Sequence, residues 1–151
     1  ATVVCDVPRR CTAAAETAMR RWLAERRDED GARALELYVE ALDKALGEED
    51  WEQAYYPAIN AAFLSRAYAR NAAAASDYAA RALEYCAKSP PGKWRAATEA
   101  EAHILLGHGE KAPERYAEAI GKKYGATPRE IYSMYGQALE CAALAGDAEK
   151  G

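Results

Sequence analysis

The sequence predicts an all-α protein of about seven antiparallel helices. Long segments rich in alanine, leucine and glutamate carry apolar residues at intervals of three and four, which is typical of helices with one buried face. Short breaks containing glycine, proline, asparagine or aspartate separate these segments, and no convincing strand pattern follows residue 11. The chain has 151 residues, which is enough for one domain with a substantial core.

The first half contains four predicted helices, placed by the apolar stripes and by the residues that separate them. Asp28-Glu29-Asp30-Gly31 is expected to break the first helix from the second. Trp51 to Tyr56 is expected to form one helical turn, and Pro57 suits the first turn of the helix that follows. The predicted helices are 12–27, 32–46, 57–70 and 73–88.

The residues before the first helix, 1–11, are set apart as a linker or a short strand. Val3, Val4 and Val7 are β-branched residues, which favour strands. Residues 12–151 are assigned to the helical domain.

Three further helices are predicted in the second half, at 93–106, 110–123 and 128–145. Ser89-Pro90-Pro91-Gly92 is a clear break ahead of them. Thr127-Pro128-Arg129-Glu130 supplies a capping threonine, a proline at the first helical position and a glutamate three residues after the cap. This combination is a strong start signal for the seventh helix.

A motif of small residues and tyrosine recurs on every second helix. Ala34-x3-Tyr38-x2-Ala41 matches Ala112-x3-Tyr116-x2-Ala119, and Ala74-x3-Tyr78 matches the first part of it. The spacing resembles that of the second helix of a tetratricopeptide repeat, although the repeat here is longer. Helix alternation and this spacing together favour stacked helix pairs over an up-down bundle. The sequence therefore predicts a tetratricopeptide-like α-solenoid with a concave face.

Charge and cysteine usage exclude several classes of protein. The net charge of −4 does not favour nucleic-acid binding, and no apolar run is long enough to cross a bilayer. The four cysteines form no Cys-x-x-Cys pair, so we expect no zinc site. The sequence also has no cofactor-binding motif, so we expect no cofactor. Scattered single cysteines fit a reducing compartment, which predicts a cytoplasmic protein. These cysteines are Cys5, Cys11, Cys86 and Cys141.

Two motifs in the middle of the chain carry a family resemblance. Tyr56-Pro57-Ala58-Ile59-Asn60-Ala61-Ala62 resembles the Tyr-Pro-Gly-Ile-Asn-Ala-Ala stretch of the MAP3K TRAFs-binding domain family, with Ala58 in place of the usual glycine. Trp94, Ala97-Thr98 and Glu101-Ala102 resemble that family's following signature. The resemblance covers about residues 50 to 137, with both motifs in the family's order and rough spacing.

The resemblance implies a tetratricopeptide-like regulatory domain of a signalling protein. The family includes the central regulatory region of apoptosis signal-regulating kinases and bacterial proteins of suspected immune or stress signalling. Such a domain would bind a protein partner, act on an attached effector domain, or hold a nucleotide-derived ligand.

The same motifs contain the candidate binding residues. Asn60, Thr98 and Glu101 lie on otherwise apolar helical stripes, where polar side chains indicate either a site or an internal hydrogen-bonded network. In the first case they line a concave groove, with Tyr56 and Trp94 as aromatic walls. In the second, Asn60 bridges backbone groups and Glu101 pairs with an arginine such as Arg66 or Arg95.

Arg66 is a further candidate, because with Arg70, one turn later, it suits a phosphate or carboxylate group. Its alternative is a solvated or structurally paired arginine.

The predicted function is a non-enzymatic binding, scaffold or sensor module. The sequence has no phosphate-binding loop, no dinucleotide fingerprint and no Ser-His-Asp arrangement. One alternative is an oligomerisation domain that associates with itself through exposed aromatics near Trp22, or near Tyr132 and Tyr135. The other is a ligand-processing enzyme that uses Glu101 or His103 as general acid or base.

Overall fold

The structure is a computed structural model that describes the backbone of residues 2–150 and the side chains of residues 12–146. Across residues 2–150 the chain forms seven α-helices and no strand, which confirms the all-α prediction. Two 3₁₀ helices, Gly109–Lys111 and Lys122–Tyr124, flank the sixth helix. The α-helices are α1 Thr2–Glu25, α2 Asp28–Gly47, α3 Trp51–Ala67, α4 Ala72–Ala87, α5 Lys93–Leu105, α6 Ala112–Ile120 and α7 Pro128–Lys150.

The N-terminal segment differs from the sequence-based expectation. The backbone from Thr2 onward is helical and continuous with α1, where a linker or short strand was expected for residues 1–11. Strand preference measured on single β-branched residues depends strongly on context, and an isolated segment has no neighbouring strand with which to pair. The side chains of residues 1–11 lie outside the described part of the structure.

The predicted break at residues 28–31 is instead the first turn of α2. Asp28, Glu29 and Asp30 form an acidic first turn, where carboxylates are favoured by the partial positive charge of the helix N-terminus. Gly31 packs against Tyr68, and an added Cβ would overlap that aromatic ring. The glycine therefore permits a close helix contact rather than ending a helix.

A single helix, α3, replaces the predicted turn and separate third helix. Asp50 caps it by accepting a hydrogen bond from the Gln53 backbone N–H at 3.2 Å. Pro57 lies inside the helix and removes one backbone donor. Most of α3 is buried from Ala54 onward, so packing on both sides offsets the cost of the interior proline.

The predicted seventh-helix start is confirmed by its capping geometry. The backbone N–H of Glu130 donates to the Thr127 hydroxyl at 3.2 Å, and the backbone N–H of Thr127 donates to the Glu130 carboxylate at 2.9 Å. Lys93 also binds this carboxylate at 2.9 Å, tying the start of α5 to the start of α7. α7 runs to Lys150, beyond the predicted end near residue 145.

From α1 to α6 each helix packs on the next one, and α1, α3, α5 and α7 also pack in that order along the chain. α3 lies at the centre of the two larger hydrophobic clusters. In one of them Phe63 meets Trp22 edge-on, with ring centroids 6.4 Å apart. Trp22 is thus a core residue with 5 % of its surface exposed, not the exposed aromatic that an oligomerisation interface would need.

Candidate binding site

The polar residues of α3 face the interior. Asn60 is buried, and its side-chain amide donates to the backbone carbonyl of Tyr56 at 2.9 Å, one turn earlier in the same helix. This bond is the backbone bridging that the internal-network alternative described for Asn60. The hydrogen bond satisfies the Asn60 amide within the core. It forms next to Pro57, which lacks a backbone N–H and therefore already perturbs the helix.

Tyr56 connects α3 to two other helices. Its hydroxyl donates to the Glu16 carboxylate of α1 at 2.7 Å. Its ring meets the ring of Tyr38 of α2 edge-on, with centroids 6.3 Å apart. Tyr38 is fully buried, and its hydroxyl has no well-formed hydrogen bond with any described residue, although the Tyr56 hydroxyl is close enough to influence it.

Glu101 of α5 is a buried acidic residue of the core. It is 7 % exposed, and no described side chain forms an ion pair or hydrogen bond with its carboxyl group. Burial raises the pKa of Glu101 to about 8, because removal from water disfavours the charged form. Neither Arg66 nor Arg95 is its partner, since Arg95 instead binds Glu99 at 3.5 Å and the Ser89 carbonyl at 2.6 Å.

Groups from three other helices surround this carboxyl. The negative charge of Glu101 helps to raise the pKa of the Tyr38 hydroxyl of α2, of the Tyr116 hydroxyl of α6 and of the Cys141 thiol of α7. The Tyr116 hydroxyl is buried without a hydrogen-bond partner among described residues, like that of Tyr38. Burial, with Glu101 as the next cause, raises the pKa of Tyr116 well above its ordinary value.

Gln137 adds a fourth polar side chain. It lies one turn before Cys141 on the same face of α7, and its amide nitrogen is also buried without a partner among described residues. We call Tyr38, Glu101, Tyr116 and Gln137 the Glu101 cluster. Buried polar groups are rarely left unpartnered in proteins, so the hydroxyls of Tyr38 and Tyr116 and the amide nitrogen of Gln137 require a reason.

The structure unites some predicted site residues and separates others. Glu101 and Tyr56 both adjoin Tyr38, and Thr98 is buried one turn before Glu101. Trp94 instead packs against two hydrophobic clusters as a half-buried side chain. Arg66 is half-buried in the last turn of α3 and forms no ion pair with a described carboxylate.

Sequence reasoning missed most of the cluster. In the sequence-based prediction Tyr38 and Tyr116 are only members of the repeated motif, and Gln137 has no place in it. A signal was present, because the two tyrosines occupy equivalent motif positions and therefore present the same group to the interior. Gln137 carried no signal, since a lone glutamine is common on helix surfaces.

Among the described side chains, Cys86, Cys141 and His103 form no visible reactive centre. Burial raises the pKa of Cys86 and Cys141 above the ordinary thiol value, which keeps both thiols protonated and unreactive. Burial also lowers the pKa of His103, whose Nδ1 is buried without a hydrogen-bond partner among described residues. Among residues 12–146, no group of three or more histidine, cysteine or acidic side chains is arranged to hold a metal ion.

Comparisons with protein-family models, curated proteins and solved structures give no match to this chain. None of the described helices combines the length and apolar character that a bilayer crossing requires.

Proposed function

We propose that the protein is a non-enzymatic sensor module that binds a small ligand at the Glu101 cluster. One observation carries the proposal: a buried carboxyl group lies near two buried tyrosine hydroxyls, neither of which has a well-formed hydrogen bond with a described residue. An unsatisfied buried polar group costs about 1–3 kcal/mol. A ligand that satisfies several of them at once would recover part of that cost as binding free energy.

The proposed architecture is the tetratricopeptide-like solenoid indicated by the sequence motif. Contacts of α1 with α3, α3 with α5 and α5 with α7 support it, because first helices of consecutive pairs stack in this way. The two motif tyrosines, Tyr38 and Tyr116, approach Glu101 from different helix pairs. The resemblance to the MAP3K TRAFs-binding domain family supports the same proposal of a regulatory domain in a cytoplasmic signalling protein.

Burial favours a small ligand, or one inserted side chain, over a broad protein surface. Asn60, Thr98 and Glu101 are each at least nine-tenths buried, so a partner lying across an open groove would not contact them. Ligand entry requires the helices over the cluster to separate. α7 is the best candidate for that movement, because α5 is its main contact within the described chain.

The ligand-processing alternative has less support. Cys141, the nucleophilic residue type beside the cluster, is held protonated by burial. Glu101 remains a group of suitable pKa for acid–base work, but the cluster offers it no second catalytic group. The geometry therefore favours recognition over turnover.

The test is a thermal-shift screen with amines, amino acids and nucleotides, including derivatives of NAD. A ligand at about 100 times its dissociation constant stabilises the fold by about 2.7 kcal/mol, which raises the melting temperature by several degrees. We expect a hit whose shift is lost in Glu101→Ala, reduced in Tyr38→Phe and kept in Glu40→Gln, which changes an exposed glutamate. A panel without any shift in the parent protein would contradict the proposal.

An oligomerisation domain is the second candidate, favoured by one surface. Tyr132 and Tyr135 on α7 are 79 % and 62 % exposed, and Leu139 continues the same helical stripe. Exposed aromatics at this spacing suit contact with another helix. Light scattering of the parent and of the Tyr132→Ser/Tyr135→Ser double variant tests it: a monomeric parent removes this candidate, and a dimer lost in the variant supports it.

A further inference from the structure

Among residues 12–146, no cationic side chain pairs with the Glu101 carboxyl. The titratable groups that the Glu101 charge affects are Tyr38 of α2, Tyr116 of α6 and Cys141 of α7. Glu16 and Arg20 of α1 in turn affect Tyr38, and Glu140 of α7 affects Cys141. Arg20 acts on Tyr38, but the pKa of Glu101 is displaced by burial alone. Breaking a buried ion pair leaves one uncompensated charge, and such a charge is strongly unfavourable. An ionised Glu101 without a ligand would be such an uncompensated buried charge.

The surroundings of this carboxyl combine aromatic rings and hydroxyls. Tyr38 lies near it and meets the Tyr56 ring edge-on, and Tyr116 approaches from α6. Aromatic faces attract cations through the ring quadrupole, and a nearby carboxylate strengthens that attraction. The unpartnered hydroxyls and the Gln137 amide also provide hydrogen-bonding capacity for a polar group attached to the cation.

We infer that the Glu101 cluster recognises an organic ammonium group, carried either by a small free amine or by a lysine side chain of a partner protein. The ammonium would donate hydrogen bonds to the Glu101 carboxylate and lie against the tyrosine rings. This inference rests on the proposed binding function and names the chemical class of its ligand.

Anionic ligands fit the same residues less well. A phosphate or carboxylate group would meet Glu101 as a like charge unless the carboxyl stayed protonated. Arg66, the arginine that the sequence offered for such a group, has no electrostatic effect on Glu101. The cluster itself contains no cationic side chain.

The inference makes binding depend on pH in a defined direction. With the pKa of Glu101 at about 8 in the empty protein, the carboxyl must lose a proton before it pairs with an ammonium. Affinity for an amine should therefore rise with pH and level off above about pH 8. Between about pH 6 and about pH 9 the expected gain is on the order of 100-fold, provided that the amine stays protonated. A neutral ligand that accepts a hydrogen bond from the protonated carboxyl would show the opposite trend.

The experiment is calorimetric titration of the full chain with n-pentylamine, n-pentanol and pentanoate, which share a hydrocarbon chain and differ in charge. Nα-acetyl-lysinamide provides the lysine arm. We expect n-pentylamine or the lysine derivative to bind, more tightly at about pH 9 than at about pH 6, with pentanol and pentanoate at least about tenfold weaker. Preference for n-pentylamine indicates a free amine, and preference for the lysine derivative indicates a partner protein.

Three variants complete the test. Glu101→Gln should weaken amine binding at least about tenfold and remove its pH dependence. Tyr38→Phe keeps the aromatic ring and leaves the Glu101 carboxyl in place, so amine binding should retain its pH dependence. Glu40→Gln should change neither the affinity for the amine nor its pH dependence. Equal binding of pentanoate, or affinity that falls with pH, would overturn the ammonium inference.

The broader binding proposal can stand or fall separately. A nucleotide or another non-cationic ligand whose binding requires Glu101 would overturn the ammonium inference while supporting the proposed function. No binding by any compound of either panel would overturn both.

Discussion

The negative charge of Glu101 helps to raise the pKa of the buried Tyr38 hydroxyl, although the two residues belong to α5 and α2 and form no hydrogen bond with each other. Burial, followed by the charges of Glu16 and other nearby groups, raises the pKa of Tyr38 above its ordinary range. The interior thus contains two polar groups that hydrophobic packing does not explain. Their consequences can be measured without knowing the ligand.

Glu101→Gln should stabilise the protein in a pH-dependent way. An acid whose pKa rises on folding reduces stability as the pH increases from its unfolded value, near 4.5, to its folded value, about 8. The variant should match the parent near pH 4.5 and exceed it at about pH 8 by on the order of a few kcal/mol. Urea unfolding at both pH values checks this.

Glu40→Gln is the matched control for that experiment, because Glu40 is an exposed residue of α2. It should leave the pH dependence of unfolding unchanged. A Glu101→Gln variant that is less stable than the parent at about pH 8 would show that the carboxyl has a partner in the fold.

Tyr38→Phe should be neutral or stabilising by up to about 1 kcal/mol, because it removes a buried hydroxyl that has no well-formed hydrogen bond with a described residue. Tyr56→Phe removes the hydroxyl that binds Glu16 at 2.7 Å and should cost about 1 kcal/mol or more. Urea denaturation of the two variants compares them directly. Clear destabilisation by Tyr38→Phe would mean that its hydroxyl is satisfied.

Gly31→Ala should destabilise the protein by about 1–3 kcal/mol, because the new methyl group would overlap the Tyr68 ring and force α2 away. Gly136→Ala is the control, since no atom lies within 4 Å of its added Cβ and alanine favours a helix. Thermal unfolding should move in opposite directions for the two variants. A neutral Gly31→Ala would show that Tyr68 can rotate away freely.

Thr127→Ala should cost about 1 kcal/mol by removing the cap of α7. Its partner Glu130 adds a pH effect. Burial acts to raise the pKa of Glu130, but the hydrogen bonds from Thr127 and Lys93 outweigh it and lower the pKa. The stability that these bonds provide is present above the unfolded pKa and is lost as the pH falls through the folded value. Chemical denaturation at about pH 7 and in acid tests this. Glu130→Gln should lower the free energy of unfolding less in acid than at about pH 7.

The sequence predicts helix boundaries well where residues only a few positions apart determine them. The cap at Thr127, whose hydroxyl accepts from the Glu130 N–H at 3.2 Å, depends only on neighbouring residues. The predictions failed where distant packing decided the outcome. The sequence predicts a helix start at Pro57, but burial of α3 between its neighbours stabilises a helix that continues through this proline.

The candidate site divides in the same way. Asn60, Thr98 and Glu101 were identified from sequence because polar residues interrupt apolar stripes, and all three are buried. The sequence left open whether Glu101 pairs with Arg66 or Arg95. Only the fold shows that Arg95 binds Glu99 and the Ser89 carbonyl instead.

By itself, the sequence determined the helical class, most helix positions and the polar residues that enter the core, because periodicity and capping are local properties of the chain. The tertiary structure decided what surrounds those residues. Tyr38, Glu101, Tyr116 and Gln137 come from four helices, and their proximity depends on how those helices pack. Helical spacing fixes the face on which a side chain lies, but only the packing of other helices determines the groups that it meets there.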